Sequence, residues 1–163
     1  MRLTRWVAAA AIAAAAPACA DGTPPPVGLC ASPEKVFFAC MTASSRWISL
    51  CGTPPSALQY RFGRAAPELQ FPERAADGMK RFLFAHYGRY QTERIELRFD
   101  NQGAEYVLFD YQESGKHTAG VRVVTGGKSR EFACSGPIAS RLGELQPLLQ
   151  CDADSALNGG NCP

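Results

Sequence analysis

The chain has 163 residues, which suits one domain of ordinary size, and a formal net charge of +2. So small a net charge provides no electrostatic basis for binding nucleic acid. No run of about twenty consecutive apolar residues occurs in the sequence, so it predicts no membrane-spanning helix.

The first twenty residues predict a signal peptide. Arg2 and Arg5 precede an apolar, alanine-rich run, residues 6–16, and Ala18-Cys19-Ala20 provides the small-x-small pattern that signal peptidase cleaves. We expect cleavage after Ala20 and a periplasmic or secreted mature protein. Lipidation of Cys19 is the alternative, and it would anchor the protein to a membrane.

Removal of this segment changes both the charge and the cysteine count. The 17 Lys and Arg include Arg2 and Arg5, so 15 basic residues then balance 15 acidic ones. Residues 21–35 begin with a proline-rich stretch and predict an extended leader. Six cysteines remain, and an even number in an oxidising compartment indicates disulfide bonds: Cys30, Cys40, Cys51, Cys134, Cys151 and Cys162.

The spacing of the cysteines disfavours redox or metal chemistry. No two of them form Cys-x-x-Cys, and none lies near a histidine in sequence. Asp152 and Asp154 resemble the start of a calcium loop, but Ala156 occupies the next ligand position. We expect neither metal nor cofactor. The cysteines are predicted to staple the fold, with Cys40–Cys51 as the preferred bridge and three possible pairings for the other four.

Four short strands open the domain, each bounded by polar, glycine or proline residues. Val36–Met41 and Trp47–Cys51 predict a hairpin whose register places Cys40 opposite Cys51. Two further strands follow: Leu58–Phe62 and Leu69–Phe71.

A longer hairpin is predicted after residue 94. From Ile95 to Phe99 apolar side chains alternate with charged ones, and residues 100–103, Asp-Asn-Gln-Gly, suit a turn. A four-residue turn would place Phe99 opposite Ala104, with the apolar side chains of both strands on one face.

Another hairpin is predicted around Gly126-Gly127, because two glycines take the positive φ angles of a type I′ turn. Its register would place Arg122 opposite Glu131 and Val121 opposite Phe132. Both pairs are compatible, one by charge and one by apolar contact.

In the C-terminal part, Ile138, Leu142 and Leu145 recur at three- to four-residue intervals. This spacing predicts a short helix, which Gly143 and Pro147 keep weak. With about eight strands before it, residues 36–163 predict a single all-β domain. The expected architecture is an antiparallel sandwich or small barrel that disulfides staple together.

No established catalytic motif is present. The sequence has no Gly-x-Ser-x-Gly elbow, no His-Glu-x-x-His, no P-loop and no dinucleotide-binding glycine pattern. His86 and His117 could serve as a general base only if the fold brings a nucleophile or carboxylate beside them. Because His86 alternates with Phe82 and Phe84, a partly buried strand histidine is the simpler interpretation.

Two segments carry residue types that protein interfaces favour. Arg89 and Tyr90 lie in a stretch where arginines and aromatic residues are interleaved. The second segment is a loop, residues 113–118, that we expect to project from the end of the sheet. It presents four candidate residues: Ser114, Gly115, Lys116 and His117. A solvated strand and an ordinary β-turn are the respective alternatives.

The elements FFAC at 37–40, ISLCG at 48–52 and LQYRFGRAAPELQFP at 58–72 resemble an uncharacterised family of small exported proteobacterial proteins. This resemblance covers about a third of the domain and implies no activity. The loop at 113–118 also resembles that of the bacterial lysozyme inhibitors, small antiparallel barrels that insert a Ser-Gly-containing loop into the lysozyme cleft. Ser114, Gly115 and Lys116 match. His117 and Thr118 replace the tyrosine often found beside them, and the six-cysteine framework differs.

These features predict an exported, non-enzymatic binding protein whose partner is a protein in the envelope or outside the cell. An inhibitor or immunity protein against a cell-wall-active enzyme is the specific hypothesis. One alternative is a periplasmic hydrolase or transferase using His86 or His117, and another is a structural component of the envelope. A cleft that places either histidine within hydrogen-bonding distance of Asp, Glu or Ser would favour the enzyme.

Overall fold

The computed structural model describes residues 28–162, which form a β-sandwich. Nine strands have five to ten residues: β1 Lys35–Met41, β2 Trp47–Thr53, β3 Ala57–Gly63, β4 Pro67–Phe71, β5 Leu83–Arg89, β6 Thr92–Asn101, β7 Ala104–Glu113, β8 Lys116–Thr125 and β9 Lys128–Ala133. Two shorter pairings are β10 Ala139–Ser140 and β11 Gln150–Cys151. Three 3₁₀ turns lie at Ala75–Lys80, Leu142–Leu145 and Ala156–Asn158.

The strands form two sheets. The first has the order β10-β1-β2-β3-β4 and the second the order β11-β5-β6-β7-β8-β9. Within each sheet the long strands are neighbours in chain order and antiparallel, so hairpins connect them. The 3₁₀ turn Ala75–Lys80 carries the chain from β4 to β5. The predicted all-β class is therefore confirmed, and of the two expected architectures, an antiparallel sandwich or a small barrel, the protein has the sandwich.

An aromatic cluster fills the core between the sheets. The ring of Phe99 on β6 stacks on Phe71 of β4 at a centroid distance of 4.5 Å and on Tyr106 of β7 at 4.8 Å. Tyr60 and Phe82 pack against the same ring at 5.1 Å and 5.3 Å. Such tilted and stacked pairs stabilise a core beyond the area that they bury.

The β8–β9 hairpin has the predicted register. Arg122 lies opposite Glu131 and Val121 opposite Phe132. Gly126-Gly127 forms the turn, with φ angles of 56° and 74°. Local turn chemistry sets the alignment here, as expected for a two-residue hairpin loop.

The β6–β7 hairpin differs from the prediction by two positions. The turn contains only Gln102 and Gly103, with φ angles of 51° and 78°, so Phe99 lies opposite Tyr106 rather than Ala104. The prediction of a four-residue turn was wrong because Gln102 adopts a positive φ angle. This conformation allows a two-residue turn, so both strands extend further. A shift of two positions leaves every side chain on its predicted face.

The predicted register of the first hairpin is wrong by three positions. Cys40 on β1 lies opposite Ile48, and Met41 lies opposite Trp47. An odd shift turns the paired residues to opposite faces of the sheet. Cys40 therefore belongs to the core, whereas Cys51 faces the outer side, and the preferred Cys40–Cys51 bridge does not form.

Three disulfides are present among residues 28–162. Their partners are Cys30–Cys51, Cys40–Cys134 and Cys151–Cys162. The second bridge joins β1 of one sheet to the residue after β9 of the other, across a sequence separation of 94. Cys134 also forms an isolated β-bridge with Thr42, the residue after β1, so backbone hydrogen bonding accompanies the disulfide. The two sheets are thus tied along this side.

The predicted C-terminal helix is replaced by the 3₁₀ turn Leu142–Leu145. Leu142 and Leu145 are nevertheless fully buried, as the spacing predicted. Gly143 and Pro147 do not favour a longer helix, and the preceding residues pair as β10 with β1. The apolar pattern identified the buried face but not the type of turn.

Residues 28–34, which we expected to belong to an extended leader, pack against the outer face of the first sheet. Leu29 N donates to Ser49 Oγ at 3.0 Å, and the Leu29 carbonyl accepts from Arg61 at 2.9 Å. Arg61 also donates two hydrogen bonds of 2.6 Å to Glu34. Residues 1–27 lie outside the described residues, so the signal peptide, its cleavage and the fate of Cys19 stay predictions.

The C-terminal segment from residue 150 packs along edge strand β5. β11 pairs with β5 in parallel, and the backbone N–H of His86 donates to Asn158 Oδ1 at 3.2 Å. Asp152, which is 2 % exposed, accepts two hydrogen bonds from Arg98 at 2.6 Å and 2.7 Å. The segment covers a sheet edge that would otherwise expose unpaired backbone groups.

Candidate functional site

Two hairpin turns meet at one end of the second sheet. Tyr90 and Gln91 connect β5 to β6, and Ser114 and Gly115 connect β7 to β8. The backbone N–H of Ser114 donates to the Gln91 carbonyl at 2.8 Å. This hydrogen bond couples the two turns and brings together the two segments that the sequence analysis proposed separately.

The loop expected at residues 113–118 is only a two-residue turn. Ser114 and Gly115 have φ angles of 47° and 81°, as a type I′ turn requires, while Lys116 and His117 belong to β8. The positions are consequently held by ladder hydrogen bonds rather than by a flexible loop. We call the six predicted residues the tip surface: Arg89, Tyr90, Ser114, Gly115, Lys116 and His117.

A shallow hollow of about 410 Å³ lies on the tip surface. Arg89, Gly115, Lys116 and His117 line it, together with the carboxylate-bearing Glu93. Beside it, Tyr90 is 88 % exposed, more than any other large hydrophobic side chain among residues 28–162. Neither Arg89 nor Lys116 forms a salt bridge within the described part of the chain. An aromatic ring and two free cations are thus presented together.

Both histidines lie beside carboxylates on the inner face of the second sheet. His117 Nε2 is 2.5 Å from Asp110 Oδ1, and Asp110 is 5 % exposed. His86 Nε2 is 3.4 Å from Glu93 Oε1, and Gly88 leaves room for the His86 ring. A buried carboxylate holds an imidazole in a defined orientation, which is the arrangement that general-base chemistry needs.

Within residues 28–162, neither imidazole is hydrogen-bonded to a serine, threonine or cysteine; their polar neighbours are the carboxylates of Asp110 and Glu93. Within residues 28–162, no group of three or more His, Cys, Asp or Glu side chains is arranged to hold a metal ion. The carboxylate of Asp152 is bound by Arg98, and this ion pair lowers the pKa of Asp152. Asp152 is therefore committed to a protein cation.

A second depression, which the sequence analysis did not identify, lies between the sheets. We call it the inter-sheet cleft. It has a volume of about 550 Å³ and is lined by Tyr60, Phe62, Leu69, Tyr106, Val121, Val123, Thr125, Lys128, Ser129, Arg130 and Phe132. The lining is mostly aromatic and aliphatic on one side and cationic at β9.

A signal for this cleft was present in the sequence. The correctly predicted β8–β9 register places Lys128 and Arg130 on the same face of the hairpin as Phe132, which is the core-facing side. Two cations on a core-facing strand contradict the usual binary pattern. They indicate that the opposite sheet does not cover this part of the hairpin.

Comparison of the chain with protein-family models, curated proteins and solved structures found no match. The expected likenesses to an exported protein family and to lysozyme inhibitors therefore stay predictions. Within the described residues, none of the helical segments has the length and hydrophobicity that crossing a bilayer requires. The three disulfides are consistent with folding in an oxidising compartment, either periplasmic or extracellular.

Proposed function

We propose that this protein is an exported, non-enzymatic binding protein that engages a protein partner through its tip surface. The observation that carries the proposal is the hydrogen bond between Ser114 and Gln91, which couples two hairpin turns bearing the candidate residues. A surface that is ordered before binding loses less conformational entropy when the partner binds.

The charges of the tip surface favour an acidic site on the partner. Arg89 and Lys116 are exposed and without salt-bridge partners among residues 28–162, whereas the neighbouring carboxylates have partners: Glu113 pairs with Arg94, and Glu93 lies 3.4 Å from His86 Nε2. The catalytic clefts of glycoside hydrolases contain paired carboxylates, which a cation on a narrow hairpin can reach. A cell-wall-active enzyme such as a muramidase is therefore the preferred partner, in agreement with the loop-level resemblance to lysozyme inhibitors.

The experiment measures lysis of a muramidase-sensitive cell wall, followed by turbidity, with and without the purified exported form. Muramidases of several structural classes are compared. We expect protection against at least one of them. Absence of protection against every class would contradict the muramidase hypothesis.

Lys116→Ala tests whether the tip surface carries the binding. We expect this variant to weaken binding to the inhibited enzyme by about 2 kcal/mol, the loss typical of a hot-spot truncation. The thermal midpoint should hardly change, because the side chain is exposed and unpaired. Lys80→Ala, which removes an exposed lysine from a different part of the molecule, is the matched control.

Tyr90→Ala separates the two halves of the tip surface. Because the Tyr90 ring is 88 % exposed, its loss should leave the fold intact and weaken binding if both hairpins contact the partner. Equal binding by the wild type, Lys116→Ala and Tyr90→Ala would place the partner site elsewhere.

A periplasmic hydrolase or transferase is the second candidate, and the Asp110–His117 and His86–Glu93 pairs favour it. In that case the protein itself would release fragments from cell-wall material, which mass spectrometry detects. His117→Gln would abolish that release, while Lys116→Ala would retain the Asp110–His117 pair. Protection from lysis and release of fragments are opposite outcomes, so one assay series distinguishes the two functions.

A further inference from the structure

The inner face of the second sheet is incompletely covered at the β8–β9 hairpin. Val121 is 1 % exposed, but Val123 and Phe132 are only half-buried and Thr125 is exposed. The inter-sheet cleft occupies this region with a volume of about 550 Å³. Small-molecule sites have volumes of about 300–1,000 Å³, so the cleft is large enough to hold one.

Aromatic side chains from both sheets form the walls of the cleft. The Phe62 ring of β3 lies 5.6 Å from the Phe132 ring of β9, and the Tyr60 ring lies 6.3 Å from that of Tyr106. Tyr60 is 1 % exposed, and its burial, together with the neighbouring Tyr106, raises the pKa of its hydroxyl. The Tyr60 hydroxyl therefore adds no negative charge to the wall of the cleft.

The rim of the cleft on β9 is cationic. Lys128 and Arg130 are both exposed, and the guanidinium of Arg130 lies 4.9 Å from the centroid of the Phe132 ring. Neither cation forms a salt bridge with any residue from 28 to 162, and no Asp or Glu lines the cleft. An apolar floor beside two uncompensated cations matches a ligand that is apolar at one end and anionic at the other.

From this arrangement we infer that the inter-sheet cleft binds a small carboxylate amphiphile. The Phe62 and Phe132 rings touch each other across the two sheets, and the apolar chain of the ligand lies against them and the aliphatic lining of the cleft, while its carboxylate meets Lys128 and Arg130. This site lies apart from the tip surface: the two share no lining residue, and the inference does not depend on the proposed protein partner.

Calorimetric titration below the micelle concentration tests the inference with three probes of equal chain length: decanoate, decanol and decyltrimethylammonium. We expect decanoate to bind about tenfold more tightly than decanol, as one to two charge-assisted contacts allow. Decyltrimethylammonium should bind most weakly of the three. Equal binding of decanoate and decanol, or no binding of decanoate, would overturn the inference.

The dependence of affinity on the length of the ligand's apolar chain is tested with octanoate and dodecanoate. Each added methylene that enters the cleft should tighten binding about fourfold, which corresponds to about 0.8 kcal/mol. Acetate should not bind measurably. An affinity independent of chain length would show that only the surface cations are involved, and it would contradict a site in the cleft.

Two variants test whether the probes bind in the cleft. The pair Lys128→Gln and Arg130→Gln should weaken decanoate binding about tenfold and leave decanol binding unchanged. Val123→Trp should fill the cleft and weaken both probes. The charge-matched control is the pair Lys80→Gln and Arg141→Gln, which removes two exposed cations elsewhere.

Because Val123→Trp can also disturb folding, its thermal midpoint is measured alongside, and the rim pair provides the independent test. Inward-facing charges also protect an edge strand such as β9 from pairing with another sheet. If Lys128 and Arg130 serve only that purpose, the double variant will form oligomers, which gel filtration detects, and its affinity for decanoate will equal that of the wild type. That result would overturn the inference.

Discussion

Each sheet has a terminal segment packed against it, and the two segments are held in different ways. Residues 28–34 lie on the first sheet, where Glu34 receives two hydrogen bonds from Arg61. Residues 150–162 pack along the second sheet, where Asp152 receives two hydrogen bonds from Arg98. The ion pairs are similar, but the disulfides beside them are not.

The N-terminal segment is covalently bonded to the sheet that it covers, because Cys30 is bridged to Cys51 on β2. In the C-terminal segment, Cys151–Cys162 closes a loop across a sequence separation of only 11. That bridge shapes the segment, and the backbone pairing of β11 and the Arg98–Asp152 ion pair attach it to the sheet. We therefore expect the ion pair to contribute more to stability where no covalent bond anchors the segment.

Of the two bridges in the terminal segments, Cys30–Cys51 should have the larger effect on stability when it is removed. Cys30→Ala with Cys51→Ala should lower the free energy of unfolding by about 3 kcal/mol, the chain-entropy value for a loop of this length. Urea denaturation of the non-reduced protein measures the loss. Loop length alone makes this loss about 0.5 kcal/mol larger than that for Cys151→Ala with Cys162→Ala, so a difference no larger than that would contradict the idea that anchoring to the sheet distinguishes the two bridges.

Asp152→Asn should come next, with a loss of about 2 kcal/mol, because it removes the charge that pairs with the partly buried Arg98 guanidinium. The C-terminal segment should also become sensitive to protease, while the sandwich stays folded. Asp154→Asn is the matched control, since Asp154 is 91 % exposed and lies 3.6 Å from the same arginine. Equal losses for both variants would refute a special role of the buried carboxylate.

Glu34→Gln should have the smallest effect at neutral pH, about 1 kcal/mol, because the Cys30–Cys51 bridge keeps the segment in place. The contribution of the Glu34–Arg61 ion pair is measured more directly when Glu34→Gln is introduced into the variant that lacks the Cys30–Cys51 bridge. In that background we expect a larger loss than in the wild type. Additive losses would show that the bridge and the ion pair act independently.

Acid should weaken both attachments. The hydrogen bonds and charge of Arg98 lower the pKa of Asp152, and although burial opposes ionisation of Glu34, hydrogen bonds from Arg61 and Ala31 lower its pKa as well. A carboxyl whose folded pKa lies below its unfolded value stabilises the fold above the unfolded value, and this contribution is lost as the pH falls through the folded value. Between pH 7 and about pH 3, the stability difference between wild type and Asp152→Asn should therefore shrink. If the stability difference between wild type and Asp152→Asn did not change with pH, the ion pair would be excluded as the cause of that difference.

The hairpins show how far the sequence predicts register. Gly126-Gly127 permits a tight turn that aligns β8 with β9, and the prediction was confirmed there. At Gln102-Gly103 the error was two positions, which kept the predicted faces. In the β1–β2 hairpin the error was three positions, which moved Cys40 and Cys51 to opposite faces and made the predicted bridge impossible.

The sequence by itself determined the all-β class, the core-facing side chains of the second sheet and the residue types of the tip surface. These features depend on alternation and on turn residues, which act over a few positions of the chain. The structure then showed that Arg89 and Lys116 line one hollow, although the sequence analysis had treated their segments separately.

Only the tertiary structure decided the disulfide partners, the coupling of Ser114 to Gln91 and the inter-sheet cleft. Cys40 meets Cys134 across a sequence separation of 94 because the sheets pack edge to edge at that point. Likewise, Lys128 and Arg130 face the interior side but stay in solvent because the first sheet ends short of them. Such outcomes depend on how two sheets of unequal extent fit together, and alternation within one strand contains no information about the extent of the other sheet.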